Sequence, residues 1–530
     1  MSSLTGSMRR AVAALWILAA AGVAHAAAED GARLLDTHCG SCHARQSDGA
    51  LSRIGRVRQT PEGWDMTIHR MVVRYGLQLS AADRHNLVKH LADTRGLAPE
   101  EAAPFRYALE RRPSVVETYP DAEVGATCAV CHSYARAALQ GRDASEWLLV
   151  AHQHVGQFFT TEYQNGMRQR DWWVEVSTQF PKKLATLYPL ESAAWIAWQR
   201  QPRAKLEGTW RVVGHRPGVG DYTGTARITL LGTDEYGVNY ELQYATGSTA
   251  VGTGTAVVYT GYEWRGTTKL GGEAINEAFA LSADGNVLDG RWYVTDADEV
   301  GATLRAHRVR SGHSAIVAVQ PSVLRAGTDA TVTIHGTGLE GSVSLGDGVA
   351  VSGVEARSPE SVQVRVSVAA DAADGARPVR VGTTSAAGMF TVFHRVDAVR
   401  IEPAAALARV GGGPIAPVTA QFEAIAYANG PDGASGTTDD VRIGVMPATW
   451  ETDNVDAIAR AREDARFAGA IQAGGLFMPT VAGPNPQRVF RTNNWGNLTV
   501  KGTVDDSGRR VDGTARLLVT IQRWVDAPIN

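Results

Sequence analysis

Cys39-Gly40-Ser41-Cys42-His43 and Cys128-Ala129-Val130-Cys131-His132 are two copies of one pattern, Cys-x-x-Cys-His. Two thiols at this spacing can add to the two vinyl groups of one porphyrin. The histidine that follows can then supply the proximal iron ligand of a c-type haem. A single Cys-x-x-Cys would fit a redox dithiol or half a zinc site equally well. Here two complete motifs use all 4 cysteines of the chain. No thiol is left for a disulfide framework, so the pattern predicts two covalently held haems c.

The sixth iron ligands come from the sequence that follows each motif. Pro61-Glu62-Gly63-Trp64 follows the first, with Met71 seven residues beyond the tryptophan. Ala144-Ser145-Glu146-Trp147 follows the second, with His154 at the same interval. Seven residues make about two helical turns, so each pair shares one helix face. The chain thus repeats a unit of motif, tryptophan and ligand. This gives His43/Met71 at the first haem and His132/His154 at the second, since haem iron accepts either donor. Met66 and His69 compete with Met71, and His152 and Met167 with His154. Trp64 and Trp147 are expected to pack their helices against the haem.

Outward from these units, the chain falls into regimes. Arg9-Arg10, the apolar run Ala11 to Val23 and Ala24-His25-Ala26 read as a signal peptide over residues 1–26, cleaved near Ala26. The apolar run is too short for a spanning helix. An exported, periplasmic protein without a membrane span in its mature part is expected. Residues 27–205 hold every cysteine and the helical patterns. Leu87, Val88 and Leu91 share a helix face after a Ser80 cap, and Leu184 to Trp198 reads as a helix broken near Pro189. From 206 the period changes to 2 and 56 glycines punctuate short strands. Residues 206–312 suggest an antiparallel barrel, 313–395 an immunoglobulin-like sandwich, and 396–530 a second sandwich with a helical insertion around Asp456 to Arg466. The fold class is therefore multidomain, a mainly α dihaem cytochrome c domain followed by all-β domains.

Other chemistry is weakly signalled. A net charge of −3 offers no basic field for nucleic acid. Gly430-Pro431-Asp432-Gly433 and Asp439-Asp440 read as a turn rather than a calcium loop. His85 and His90 read as solvated or capping, and no nucleophile elbow is present.

The order of parts resembles the alpha (dihaem) subunit of quinohemoprotein amine dehydrogenase. The segment Trp147 to Phe159 after the second motif, then a barrel and two sandwich units, carries the resemblance. It implies an alpha-beta-gamma assembly with a propeller beta subunit and a gamma subunit bearing a cysteine tryptophylquinone. Primary amines would be oxidised there, and electrons would leave through the alpha haems to a blue copper protein or a cytochrome c. This chain has no spare cysteine to form the quinone, so it contributes no catalytic residue of its own. A free-standing dihaem electron carrier is the alternative. A peroxidase-type enzyme is disfavoured because both haems have a sixth ligand to hand. Thioether attachment of both haems predicts a denatured chain about 1.2 kDa heavier than the processed polypeptide. Mass spectrometry after acid-acetone extraction checks this, and a stripped haem would disprove it.

Overall fold

A computed structural model describes residues 30–166 and 168–521. The expected signal segment and Met167 lie outside the described residues. The chain builds a helical N-terminal domain and then three β units.

The helical domain repeats one local plan. A helix (α1, residues 30–39) ends at Cys39, and a helix over Ala122–Cys128 ends at Cys128. A three-residue strand follows each motif, β1 (Val57–Gln59) and β2 (Gln140–Arg142). Each strand feeds a long helix, α2 (Pro61–Tyr75) capped by Thr60 and α4 (Ala144–Gln157) capped by Asp143. The cap side chains accept from Gly63 N–H and Glu146 N–H, satisfying donors that a helix start leaves free. Between the units lies α3 (Ala81–Thr94), capped by Ser80, with Leu87, Val88 and Leu91 buried as their spacing predicts. The segment expected as one broken helix forms two, Phe180–Leu187 and Ala193–Gln199.

The two units join through β1 and β2, which pair antiparallel with Arg58 opposite Gly141. Arg58 is only 2% exposed. Its guanidinium donates to both Glu101 oxygens at 2.8 and 2.7 Å and to the carbonyls of Gly96 and Pro189 at 3.2 and 2.9 Å. It also stacks on Trp195. A Cβ on Gly141 would lie 2.6 Å from the Pro189 carbonyl and 2.9 Å from this guanidinium, so glycine is required where the strands meet.

Eight strands, Gly208–Arg216 (β3), Gly220–Gly232 (β4), Glu235–Tyr244 (β5), Thr249–Tyr259 (β6), Glu263–Leu270 (β7), Glu273–Leu281 (β8), Val287–Val294 (β9) and Ala297–Arg308 (β10), close into a barrel by β10 pairing with β3. Alternation fills its interior. Along β5, Tyr236, Val238, Tyr240, Leu242 and Tyr244 are buried while their neighbours are more exposed. The barrel also completes the helical domain. Tyr259 joins the cluster of Trp64, Ile68, Leu87 and Leu91, and the Thr260 hydroxyl donates to Ala92 O at 3.0 Å.

Two four-stranded sheets follow over residues 315–393, sharing a core of Val332, Ile334, Val364 and Phe390. The last unit packs three small sheets around Phe422, Phe477, Leu498 and Leu517. Its expected helical insertion is two short helices, Ala457–Ala461 and Asp464–Phe467. Thr437 Oγ1 and Asp432 N–H donate to Asp439, which accounts for that acidic pair as a turn. Among the described residues, no helix is long and apolar enough to cross a membrane.

The Arg58 contact has a measurable signature. Burial pushes the Glu101 carboxyl up, but hydrogen bonds and charge from Arg58, helped by Ala98 N–H and Ser192, outweigh it and hold the carboxyl below its usual range. A carboxyl lower in the folded than the unfolded state contributes stability above its unfolded value and loses it as pH falls through the folded one. Arg58→Met should therefore destabilise the helical domain by about 3–5 kcal/mol at neutral pH. The deficit should shrink below about pH 4, as followed by denaturant titration across pH.

Candidate haem sites

At the second motif, the Ala122–Cys128 helix delivers Cys128, and α4 delivers His154 from two turns beyond Trp147. The His132 and His154 rings face each other with centroids 6.4 Å apart. Two imidazoles sharing one metal ion through nitrogens at about 2.0–2.1 Å would place their centroids roughly 6.3 Å apart. The Nδ1 of His132 bonds Ser133 O at 2.9 Å and that of His154 bonds Val150 O at 2.8 Å. Each ring is thus oriented by a backbone carbonyl, and its Nε2 is left for a metal. Burial, assisted by the Arg136 charge, holds His132 below the usual histidine value, in the neutral form that ligates.

These residues line a cavity of about 1070 Å³ together with Cys128, Cys131, Trp147 and Trp172. The indole N–H groups of both tryptophans are buried without an acceptor. Orphaned donors on a cavity wall are costly, and they suit a ligand that carries acceptors at its edge. The dithiol alternative fares poorly. Burial pushes the Cys128 thiol up to about 11, and burial with the charges of Cys42 and Asp36 does the same for Cys39. A redox dithiol needs the opposite shift. Among the described residues, no group of three or more His, Cys, Asp or Glu side chains could hold a metal ion. The residues therefore fit haem.

The first motif presents its cysteines as the second does, where Cys128 is half-buried and Cys131 exposed. Cys42 is exposed and Cys39 half-buried. His43 Nδ1 bonds Ser52 O at 2.8 Å, the same carbonyl-oriented state as in the second unit. Met71 lies in the last turn of α2, where its carbonyl accepts from Gly76 and Leu77. Of the two expected ligand pairs, His132 and His154 are brought into ring contact.

The competitors separate. His152 is exposed and edges onto Trp173 at 5.0 Å, away from the cavity that His154 lines. Met66 lines the second unit's cavity, and its sulfur accepts from Arg136 at 3.1 Å. Trp64 is buried with its N–H on Arg95 O at 3.0 Å. Sequence reading missed Trp172, whose helix lies outside both repeats. It also missed the arginines of the cavity, of which Arg70 is half-buried and held below its usual value by burial and the charges of Arg136 and Arg74.

Comparisons with known proteins bear on the whole chain. No curated protein matches it. Among solved structures, a redesigned β-barrel bound to DFHBI is 16% identical over 20% of this chain and 94% of its own, with a TM-score of 0.18. Mouse clustered PcdhgC3 EC1-3 is 12% identical over 46% and 86%, with a TM-score of 0.17. Four family models match in sequence order. "Quinohemoprotein amine dehydrogenase A, alpha subunit, haem binding" covers residues 29–195. Alpha subunit domains II, III and IV cover 203–309, 313–394 and 399–529. With a haem-binding domain and three β domains matched end to end, the chain belongs to the family of quinohemoprotein amine dehydrogenase alpha subunits.

Proposed function

We propose that this chain is the dihaem electron-transfer subunit of a periplasmic amine dehydrogenase. The observation that carries the reading is the repeat itself, two Cys-x-x-Cys-His units with matched strands, capped helices and tryptophans. Iron held in such units supplies a one-electron couple tuned by its axial donors. Cys39 and Cys42 would anchor the first haem and Cys128 and Cys131 the second. His43 with Met71 and His132 with His154 would be the axial pairs.

These donors order the units. Methionine sulfur favours the reduced metal more than imidazole does, so the His43/Met71 unit is the higher in potential. The His132/His154 unit then stands on the donor side, and the His43/Met71 unit on the acceptor side. The donor would be a cysteine tryptophylquinone in a gamma subunit, held with a propeller beta subunit. The acceptor would be a blue copper protein or a cytochrome c. We divide the exported chain at 27–205, 206–312, 313–395 and 396–530 and read the last two as immunoglobulin-like. Two sheets on one core over 315–393 support that reading for the first of these units, and three small sheets around one core form the second.

Two measurements test it. The purified chain mixed with a primary amine should show no haem reduction, while the reconstituted assembly should; amine-driven reduction of the chain alone would refute the subunit role. Met71→Ala should abolish the weak far-red sulfur-to-iron band and lower one haem potential. Met66→Ala should leave the band, because Met66 sits with the other unit.

A further inference from the structure

The wall of the second unit's cavity carries more positive charge than its carboxylates balance. Arg84 is paired with Asp65 at 2.7 and 2.8 Å. Arg265 is paired with Glu62 and Glu263, and Arg142 with Glu146 at 3.7 Å. Arg70, Arg136 and the lining Arg111 have no such partner among the described residues. Among the described residues, the Arg70 guanidinium makes no ion pair or hydrogen bond and that of Arg136 donates only to the Met66 thioether, a weak acceptor. Both line the cavity shared with Cys128, Cys131, His132 and His154. Like charges kept together in a partly enclosed space are unfavourable unless an anion joins them.

A haem carries two carboxylates on its edge, and guanidinium is the side chain best shaped to bind carboxylate in two-point fashion. We infer that Arg70 and Arg136 form a clamp for the carboxylates of the haem attached at Cys128 and Cys131. The clamp rests on the haem reading above. It spans the repeat, because Arg136 comes four residues after His132 while Arg70 comes from α2 of the first unit, one residue before Met71. The second haem would therefore be held in part by the helix that ligates the first. The two positive charges would also favour the reduced state of that haem and narrow its gap to the His43/Met71 unit.

The test is potentiometry on the full chain with both haems attached, in Arg70→Gln, Arg136→Gln and the double variant. Each single change should lower the wave of the bis-imidazole haem by about a tenfold shift in its reduction equilibrium, ~59 mV for one electron, and the double change should lower it further. The wave that Met71→Ala moves, and the far-red band, should stay in place. Arg70→Lys and Arg136→Lys should recover part of the shift, and Arg74→Gln, one turn along α2, should move neither wave. Unmoved waves in a chain of full two-haem mass would overturn the clamp, as would a shift confined to the His43/Met71 haem. A wild-type chain lacking the added haem mass would instead overturn the haem reading beneath it.

Discussion

One buried guanidinium sets the geometry on which both sites depend. Arg58 lies where β1 and β2 cross between the units, and it ties together segments far apart in sequence: the Glu101 helix, the end of α3 at Gly96, and the turn at Pro189. An ion buried this deeply gives little net stability relative to an apolar core. What it supplies is direction, because a planar fork with five acceptors, the Leu190 carbonyl included, tolerates only one arrangement of its neighbours. From that junction α2 and α4 depart at matched positions, each four residues from cap to tryptophan. The repeat is thus a spatial relation, and the ligand helices inherit their placement from it.

The parts of this arrangement legible in sequence are those with short-range causes. Cys-x-x-Cys-His reports its chemistry in five residues. Ser80 and the Leu87, Val88, Leu91 stripe report a capped helix, and period-2 runs report strands. Closure of the eight strands was legible only as a kind of sheet, because it is made by the β10 to β3 register between the ends of the segment. The choice between His152 and His154 was open because two residues on a helix are about 200° apart, and the side that faces the haem is set by packing. Met66 and Met71 differ by five residues, about 140° around α2, so they lie on different faces of that helix. Nothing local to Met66 signals that its neighbour is Arg136. β1 and β2 span three residues each, too few for a periodic signal, although their pairing defines the repeat.

The cavity shows why a haem domain reads incompletely without its cofactor. Among the described residues, Trp147 and Trp172 present buried N–H groups without an acceptor, and Arg70 and Arg136 present charge without a carboxylate partner. Such residues look like ordinary aromatics and surface cations in a sequence. Their common purpose is visible only when the fold gathers them around one space.

The barrel is more than an appendage to the haem units. Tyr259, from β6, is a member of the apolar cluster that includes Trp64 and Leu87, and Thr260 closes on the last turn of α3 through Ala92. The first haem unit therefore finishes its own interior with side chains from the next family-defined domain. The bounds of the family-defined domains and of the packed interior do not coincide here. A fragment cut at the seam near residue 205 would inherit the haem motifs but a breached interior.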